Sequence, residues 1–196
     1  MSLEIHELLK KSSARHSHLC PRQVLGVRIG LAGLRAIGVE SPIQNKAALI
    51  IIETDGCFAD GIEVATGAVI GHRTLRVVDL GKIAATFANL RTGRTIRLAP
   101  CLDVRLRALE YAPDIKKKYY AQLKGYQIMP EGELFTFREV QLEPSLPTIL
   151  SRPGVRAKCS NCGEEIINER QVCLDGKILC RTCAGDSYYL SKDVLR

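Results

Sequence analysis

Cys159-Ser160-Asn161-Cys162 and Cys180-Arg181-Thr182-Cys183 are two C-x-x-C pairs separated by 17 residues. That is the spacing of a four-cysteine zinc module. Its constraint on the fold is physical: the 39 residues from 158 to 196 bury too little apolar surface to fold unaided. Bound zinc can supply on the order of 10 kcal/mol. Four thiolates close a tetrahedral shell and leave no open position, so such a zinc is structural. Cys162-Gly163 suits a tight knuckle, and Cys180 and Cys183 are expected to open a helix through Tyr189. The layout predicts a treble-clef or ribbon-like finger. Cys173, beside an Asp175-Gly176 turn, reads as a spare core thiol.

The rest of the 196-residue chain differs in character. Its net charge of +7 lies wholly in residues 1–157, with 22 basic and 15 acidic side chains, whereas 158–196 holds six of each. Three of the eight prolines, Pro144, Pro147 and Pro153, fall within ten residues between these parts. The expected organisation is a core domain at 1–143, a proline-rich linker at 144–157 and a finger at 158–196. A finger with balanced charge, made more negative by four thiolates, lacks the basic stripe that binds phosphates. Protein docking or dimer stabilisation fits it better than nucleic acid. No apolar run approaches the roughly 20 residues of a membrane span, and the polar N-terminus lacks a signal-peptide core. The eight cysteines are therefore expected as thiols and metal ligands of a soluble cytoplasmic protein.

In the core, Pro21 suits the first turn of a helix, and Val24, Val27, Leu31 and Leu34 recur at helical spacing until Gly38. Residues 47–52 form a short β-branched run, hence a buried strand, followed by a helix over 59–66 that Gly67 ends. Strands are expected at 75–80, 84–90, 95–99 and 135–142, with Thr92-Gly93 turning a hairpin. Residues 103–125 read as helix bent near Pro113. Helices and strands mix without strict alternation, so the class is α+β.

Two core segments carry potential chemistry. His16, His18 and Cys20 stand at i, i+2 and i+4, sharing one face of an extended chain. Cys20 precedes the helix at Pro21, and Cys57 precedes the next, where partial positive charge favours thiolates. If the segments converge, these four side chains with Asp55 and Asp60 gather in one cleft. A mixed nitrogen and sulfur set suits a second zinc or another transition metal, and three ligands leave a position open. The bland reading keeps His16 and His18 in a solvated loop and Asp55 and Asp60 as helix caps. Cys101 reads as a small buried hydrophobe. His72 after Gly71 is a further candidate. Arg91, Arg94 and Arg97 read as a solvated basic cluster that could receive an acidic partner, and Lys116-Lys117-Lys118-Tyr119-Tyr120 as exposed helix.

His16-Ser17-His18-Leu19-Cys20-Pro21 with Leu25-Gly26 and Gly30 forms one motif. Glu53-Thr54-Asp55-Gly56-Cys57 with Asp60, Thr66 and Gly67 forms a second, and Asp79-Leu80-Gly81-Lys82 with Thr92-Gly93 a third. Together they resemble the E-subunit family of formylmethanofuran dehydrogenase, many members of which also carry a C-terminal four-cysteine finger. The resemblance implies an α+β core, a homodimer and a metal-associated cleft where the first two motifs meet. It favours His18, Cys20 and Cys57 there, with His16, Asp55 and Asp60 as further members. It also implies association with subunits of the molybdenum or tungsten enzyme that reduces carbon dioxide onto methanofuran, without this chain being its redox core. The chain departs from the family pattern at Arg22, where a glycine commonly follows the proline. It departs again at Ile83-Ala84-Ala85, where histidine and aromatics are common.

The leading expectation is a zinc-binding accessory protein or subunit whose cleft holds a second metal. Cys20, Cys57 and His18 would hold it, and Asp55 or Asp60 would orient water or a histidine N–H. The alternatives are a stand-alone metal-dependent enzyme on a small organic substrate, with Cys57, Cys20, Asp55 and Asp60 carrying catalysis, and a nucleic-acid-binding zinc-finger regulator.

Overall fold

The computed structural model describes residues 3–16 and 18–190. They form two compact units, divided between Leu142 and Glu143.

The first unit is an α+β core. It opens with α1 (Leu3–Ser13) and α2 (Pro21–Ala36), then β1 (Ala48–Ile52), α3 (Cys57–Thr66), β2 (Leu75–Val77), and the hairpin β3 (Ala85–Asn89) and β4 (Thr95–Pro100). Next come α4 (Val104–Glu110), α5 (Lys118–Ile128), the short α6 (Glu131–Leu134) and β5 (Phe135–Glu139). The sheet order is β2-β1-β3-β4-β5. Only β1 and β2 are parallel, because α3 makes the crossover between them; the other pairs are antiparallel. Val24, Val27, Leu34, Ile50, Ile52, Phe58, Ile62, Phe87 and Leu98 fill the interior between helices and sheet.

Several elements differ from expectation for identifiable reasons. Residues 103–125 form two helices, not one bent helix, because Pro113 disfavours helical backbone in the residue before it and the chain turns there. The strand expected at 75–80 ends at Val77, where Leu80 N–H and Lys82 N–H both fold back onto the Glu53 carbonyl at 2.9 and 3.1 Å. Helix α1 was not expected, although Ile5, Leu8 and Leu9 have the spacing to pack it against the core.

The packing of α2 on α3 fixes the geometry that matters most. A Cβ on Gly26 would stand 2.4 Å from the Phe58 carbonyl oxygen, and one on Gly61 would stand 2.5 Å from the Gln23 carbonyl oxygen. The two helices touch backbone to backbone, which only glycine permits at this crossing. Gly30 then meets Ala65 one turn further along both helices, so the helices run parallel and begin at the same end of the pair.

The second unit contains α7 (Leu146–Leu150), a hairpin of β6 (Arg156–Lys158) and β7 (Glu165–Ile167), and a hairpin of β8 (Val172–Leu174) and β9 (Lys177–Leu179). The stretch expected as a linker, 144–157, thus holds a helix and the start of β6. The helix expected from Cys180 through Tyr189 does not form. Ala184 N–H reaches the Cys180 carbonyl at 3.0 Å and Asp186 N–H reaches Arg181, but Gly185 at φ +99° turns the chain out of the helical path after one turn. The finger is accordingly a ribbon-like pair of hairpins and knuckles.

Candidate metal centres

Each cysteine pair of the finger follows a hairpin strand, Cys159 after β6 and Cys180 after β9. All four Sγ atoms lie within 4.8 Å of one another. Cys162 Sγ and Cys180 Sγ are 3.9 Å apart, and two sulfurs on a tetrahedral zinc with 2.3 Å bonds would be about 3.8 Å apart. Backbone amides point at the sulfurs: Cys180 N–H donates to Cys159 Sγ at 3.3 Å and Cys183 N–H to Cys180 Sγ at 3.4 Å. Asn161 Nδ2 donates to Cys183 Sγ at 3.3 Å.

The thiols of the cage are electrostatically unequal. Amide donation from Cys162 and Cys180 draws Cys159 down to about 6. The Glu164 amide also lowers Cys162, but desolvation and the three neighbouring cysteines push it up to about 12. Cys159 thus ionises more readily than Cys162, and a divalent ion bound among the sulfurs would neutralise the charge that clustering otherwise opposes. The donor set and spacing fit zinc in a closed structural site. Cys173, expected in the core, is exposed on β8 opposite Ile178.

In the first unit, Cys20 caps the N-terminus of α2 with extended backbone (φ −123°, ψ 159°). Its N–H donates to Gln23 Oε1 at 2.8 Å, and the fully buried Gln23 donates through Nε2 to the Ser12 carbonyl at 2.9 Å. This ties the end of α1 to the start of α2. Cys57 is the first residue of α3, launched from Gly56 at φ +69°, ψ −150°, a conformation essentially reserved for glycine. Because α2 and α3 start together, the two thiols meet. Burial raises the Cys57 pKa most, a hydrogen bond with the Cys20 thiol raises it further, and Arg22 opposes both. Cys20 is 6% exposed and Cys57 is half-buried. Tyr119 lies within electrostatic range of this pair: desolvation and then the charges of Cys20, Tyr120 and Cys57 raise its hydroxyl pKa, with Arg22 lowering it. The Tyr119 and Tyr120 rings stand edge to face at 5.3 Å. The nearness of Tyr119 to the thiols depends on the placement of α5 and was not legible in the sequence.

The other expected residues are placed differently. His16 Nε2 lies 2.5 Å from Asp60 Oδ2, and Arg15 reaches Glu63 at 2.5 Å and Asp60 at 3.5 Å. The chain leaving α1 thus docks on the acidic side of α3 and holds His16 and Asp60 on each other. His18 and Asp55 are exposed. Among the described residues, only the four finger cysteines bring three or more ligand atoms within mutual reach. Cys101 is half-buried at the end of β4, and His72 is exposed. Arg97 is not solvated: it grips the buried Glu53 carboxylate through Nε at 2.5 Å and Nη2 at 2.6 Å. Arg91 and Arg94 remain exposed, as do Lys116, Lys117 and Lys118.

A family model described as FmdE, molybdenum formylmethanofuran dehydrogenase operon, matches residues 15–146. The chain belongs to the FmdE family. The FmdE match starts at the segment bearing Cys20 and takes in the whole crossing of α2 and α3. A second model, the prokaryotic dksA/traR C4-type zinc finger, matches residues 154–189. A protein of Archaeoglobus fulgidus described as a probable S-adenosyl-L-methionine-binding protein is 29% identical over 95% of this chain. The alignment spans 54% of that relative's length, so the chain corresponds to about half of it. The fold is also seen in the crystal structure of a tungsten formylmethanofuran dehydrogenase FmdE-like protein from Syntrophus aciditrophicus. That structure has a TM-score of 0.57, 20% identity and 95% coverage of both chains. No helix among the described residues is long and apolar enough to cross a membrane.

Proposed function

We propose that this FmdE-family chain is a zinc-binding accessory protein or subunit of a formylmethanofuran dehydrogenase type of enzyme. In this reading the finger holds a structural zinc and the core thiols hold a second transition metal. The observation that carries the reading is the meeting of Cys20 and Cys57 where parallel α2 and α3 begin. A metal at Cys57 would displace a proton that burial and the Cys20 thiol hold in place, with the positive charge of Arg22 acting the other way. His18, two residues before Cys20 and exposed, would have to turn inward to supply a third donor, since among the described residues three or more ligand atoms lie within mutual reach only in the finger. Two sulfurs and one nitrogen suit zinc or another late transition metal and leave a fourth position for water or an outside ligand. Asp55 is the carboxylate available to orient that ligand, since His16 and Arg15 engage Asp60. The chain would act as a cytoplasmic homodimer beside dehydrogenase subunits.

Cobalt(II) titration of the full chain carrying Cys159→Ser and Cys180→Ser tests the core site alone. Thiolate-to-cobalt charge-transfer absorption that disappears on adding Cys57→Ala is the expected result. An identical spectrum with Cys57→Ala would remove the core site from the reading.

The A. fulgidus relative aligns with nearly the whole chain, which supports a second reading. Here the same cleft takes S-adenosyl-L-methionine or another small organic ligand, as a stand-alone metal-dependent enzyme would. Calorimetry with S-adenosyl-L-methionine and the metal-loaded chain decides it. Saturable heat that is lost in Cys57→Ala supports this reading, and no heat removes this ligand.

A further inference from the structure

We propose that the cavity at the far end of α2 is a binding site for an amino-acid zwitterion with an apolar side chain. It lies about 24 Å from Cys20 along the 16-residue α2. No cysteine takes part, so the site stands apart from the metal reading of the core.

Two segments enclose the cavity: the connection from α2 to β1, residues 38–47, and the end of β3 with its turn, residues 89–91. Its volume is about 530 Å³, and small-molecule sites typically measure about 300–1,000 Å³. Backbone and one buried side chain fix its walls. Leu90 N–H donates to the Ala47 carbonyl at 2.9 Å. Asn89, 4% exposed, donates through Nδ2 to the Ile37 carbonyl at 2.9 Å. Its Oδ1 accepts from the Arg91 and Thr92 amides at 2.9 and 3.1 Å. The two segments are thereby tied to each other, and a ligand has little left to order.

Glu40, Lys46 and Arg91 line this cavity, and none of them pairs with an opposite charge among the described residues. Val39, Ala47 and Leu90 add half-buried apolar wall. A simple anion would suit the two cations and leave Glu40 facing like charge, and a simple cation would do the reverse. An amino acid answers all three. Its carboxylate takes Lys46 and the guanidinium fork of Arg91, its ammonium takes Glu40, and its side chain lies on the apolar wall.

The backbone at Lys46 points the same way. Ala47 N–H closes a turn onto the Gln44 carbonyl at 2.9 Å, and the central residues Asn45 and Lys46 have φ of +50° and +53°. Such a turn commonly takes Asn followed by Gly, and a lysine in the left-handed region is strained. Glycine at this position would relax the turn and remove a cation from the cavity.

Amide-resolved NMR titration of the full chain tests the site. The probes are L-leucine and L-phenylalanine, with 3-phenylpropanoate and 2-phenylethylamine as analogues of phenylalanine lacking the ammonium and the carboxylate. Saturable shifts at the amides of 38–47 and 89–93 are expected for the amino acids, with Kd in the millimolar range or tighter. Both analogues should bind at least about tenfold more weakly, as should phenylalanine to Arg91→Ala. Glu40→Gln should weaken phenylalanine by the same factor and leave 3-phenylpropanoate no weaker. Lys46→Gly should also lose affinity while its Tm stays at or above that of the unsubstituted chain, which separates lost binding from lost fold. Cys57→Ala should bind as the unsubstituted chain does, whatever becomes of the core metal. No saturable shift with either amino acid would overturn the site, and equal binding of 3-phenylpropanoate would overturn the zwitterion.

Discussion

Gly26→Ala tests the helix crossing that brings the thiols together. The added methyl carbon would sit 2.4 Å from the Phe58 carbonyl oxygen, 3.0 Å from Gly61 Cα and 3.2 Å from Ile62 N. All three are backbone atoms, so no side chain can swing aside. An ordinary contact begins at about 3.4 Å, and α2 and α3 must therefore part by about 1 Å. Overpacking of this kind costs about 3 kcal/mol, and the better helix propensity of alanine returns about 1 kcal/mol. The net loss is about 2 kcal/mol, or about 4–8 °C in Tm for a chain of this size. Circular dichroism melting reads it. Gly132→Ala, with open space around its position, is the control and should shift Tm by less than about 2 °C. A Gly26→Ala protein that melts at or above the unsubstituted chain would refute the backbone-contact argument.

Arg97→Ala leaves the Glu53 carboxylate buried without its guanidinium and should cost about 3 kcal/mol in urea unfolding; adding Glu53→Gln should recover part of that loss. In the finger, Arg152 donates to both Glu169 oxygens, from its N–H at 2.8 Å and from Nε at 2.7 Å. These bonds hold the Glu169 carboxyl below its ordinary value of 4.5. The folded pKa being the lower one, this contact stabilises the finger above pH 4.5 and is lost as pH falls through the depressed value. NMR titration should therefore show the Glu169 midpoint rising in Arg152→Ala, and an unmoved midpoint would refute the pairing. Excess chelator should collapse the β6–β7 and β8–β9 hairpins while leaving the sheet of β1 to β5 intact, because metal binding supplies the finger's folding energy; exchange-protected amides at 156–158 and 165–167 after chelation would contradict this.

The periodic and punctuated parts of the chain were legible. Pro21 and the 3.6-residue spacing of Val24, Val27 and Leu31 foretold α2, and the β-branched run foretold β1. The cysteine spacing alone foretold the four-sulfur cluster of the finger, because four cysteines at two knuckles leave few ways to converge. What escaped was decided by contacts between distant segments. Nothing local in Arg97 announces that its register opposite Thr86 aims it at Glu53. His16 has the right spacing to join Cys20, yet the turn after α1 delivers it to Asp60. The glycines of α2 were visible as a motif, but their role as the seat of α3 needs both helices in view. Tyr119 comes within electrostatic range of the thiol pair because α5 packs on α2.

Zinc stoichiometry is the most direct measurement of whether this fold assembles a structural metal cage in the finger and a separate thiol site at the start of α2 and α3. Native mass spectrometry of the full chain should show two metal ions per chain, falling to one in Cys57→Ala and to one in Cys159→Ser with Cys180→Ser. One ion per chain, unchanged by Cys57→Ala, would contradict the core site.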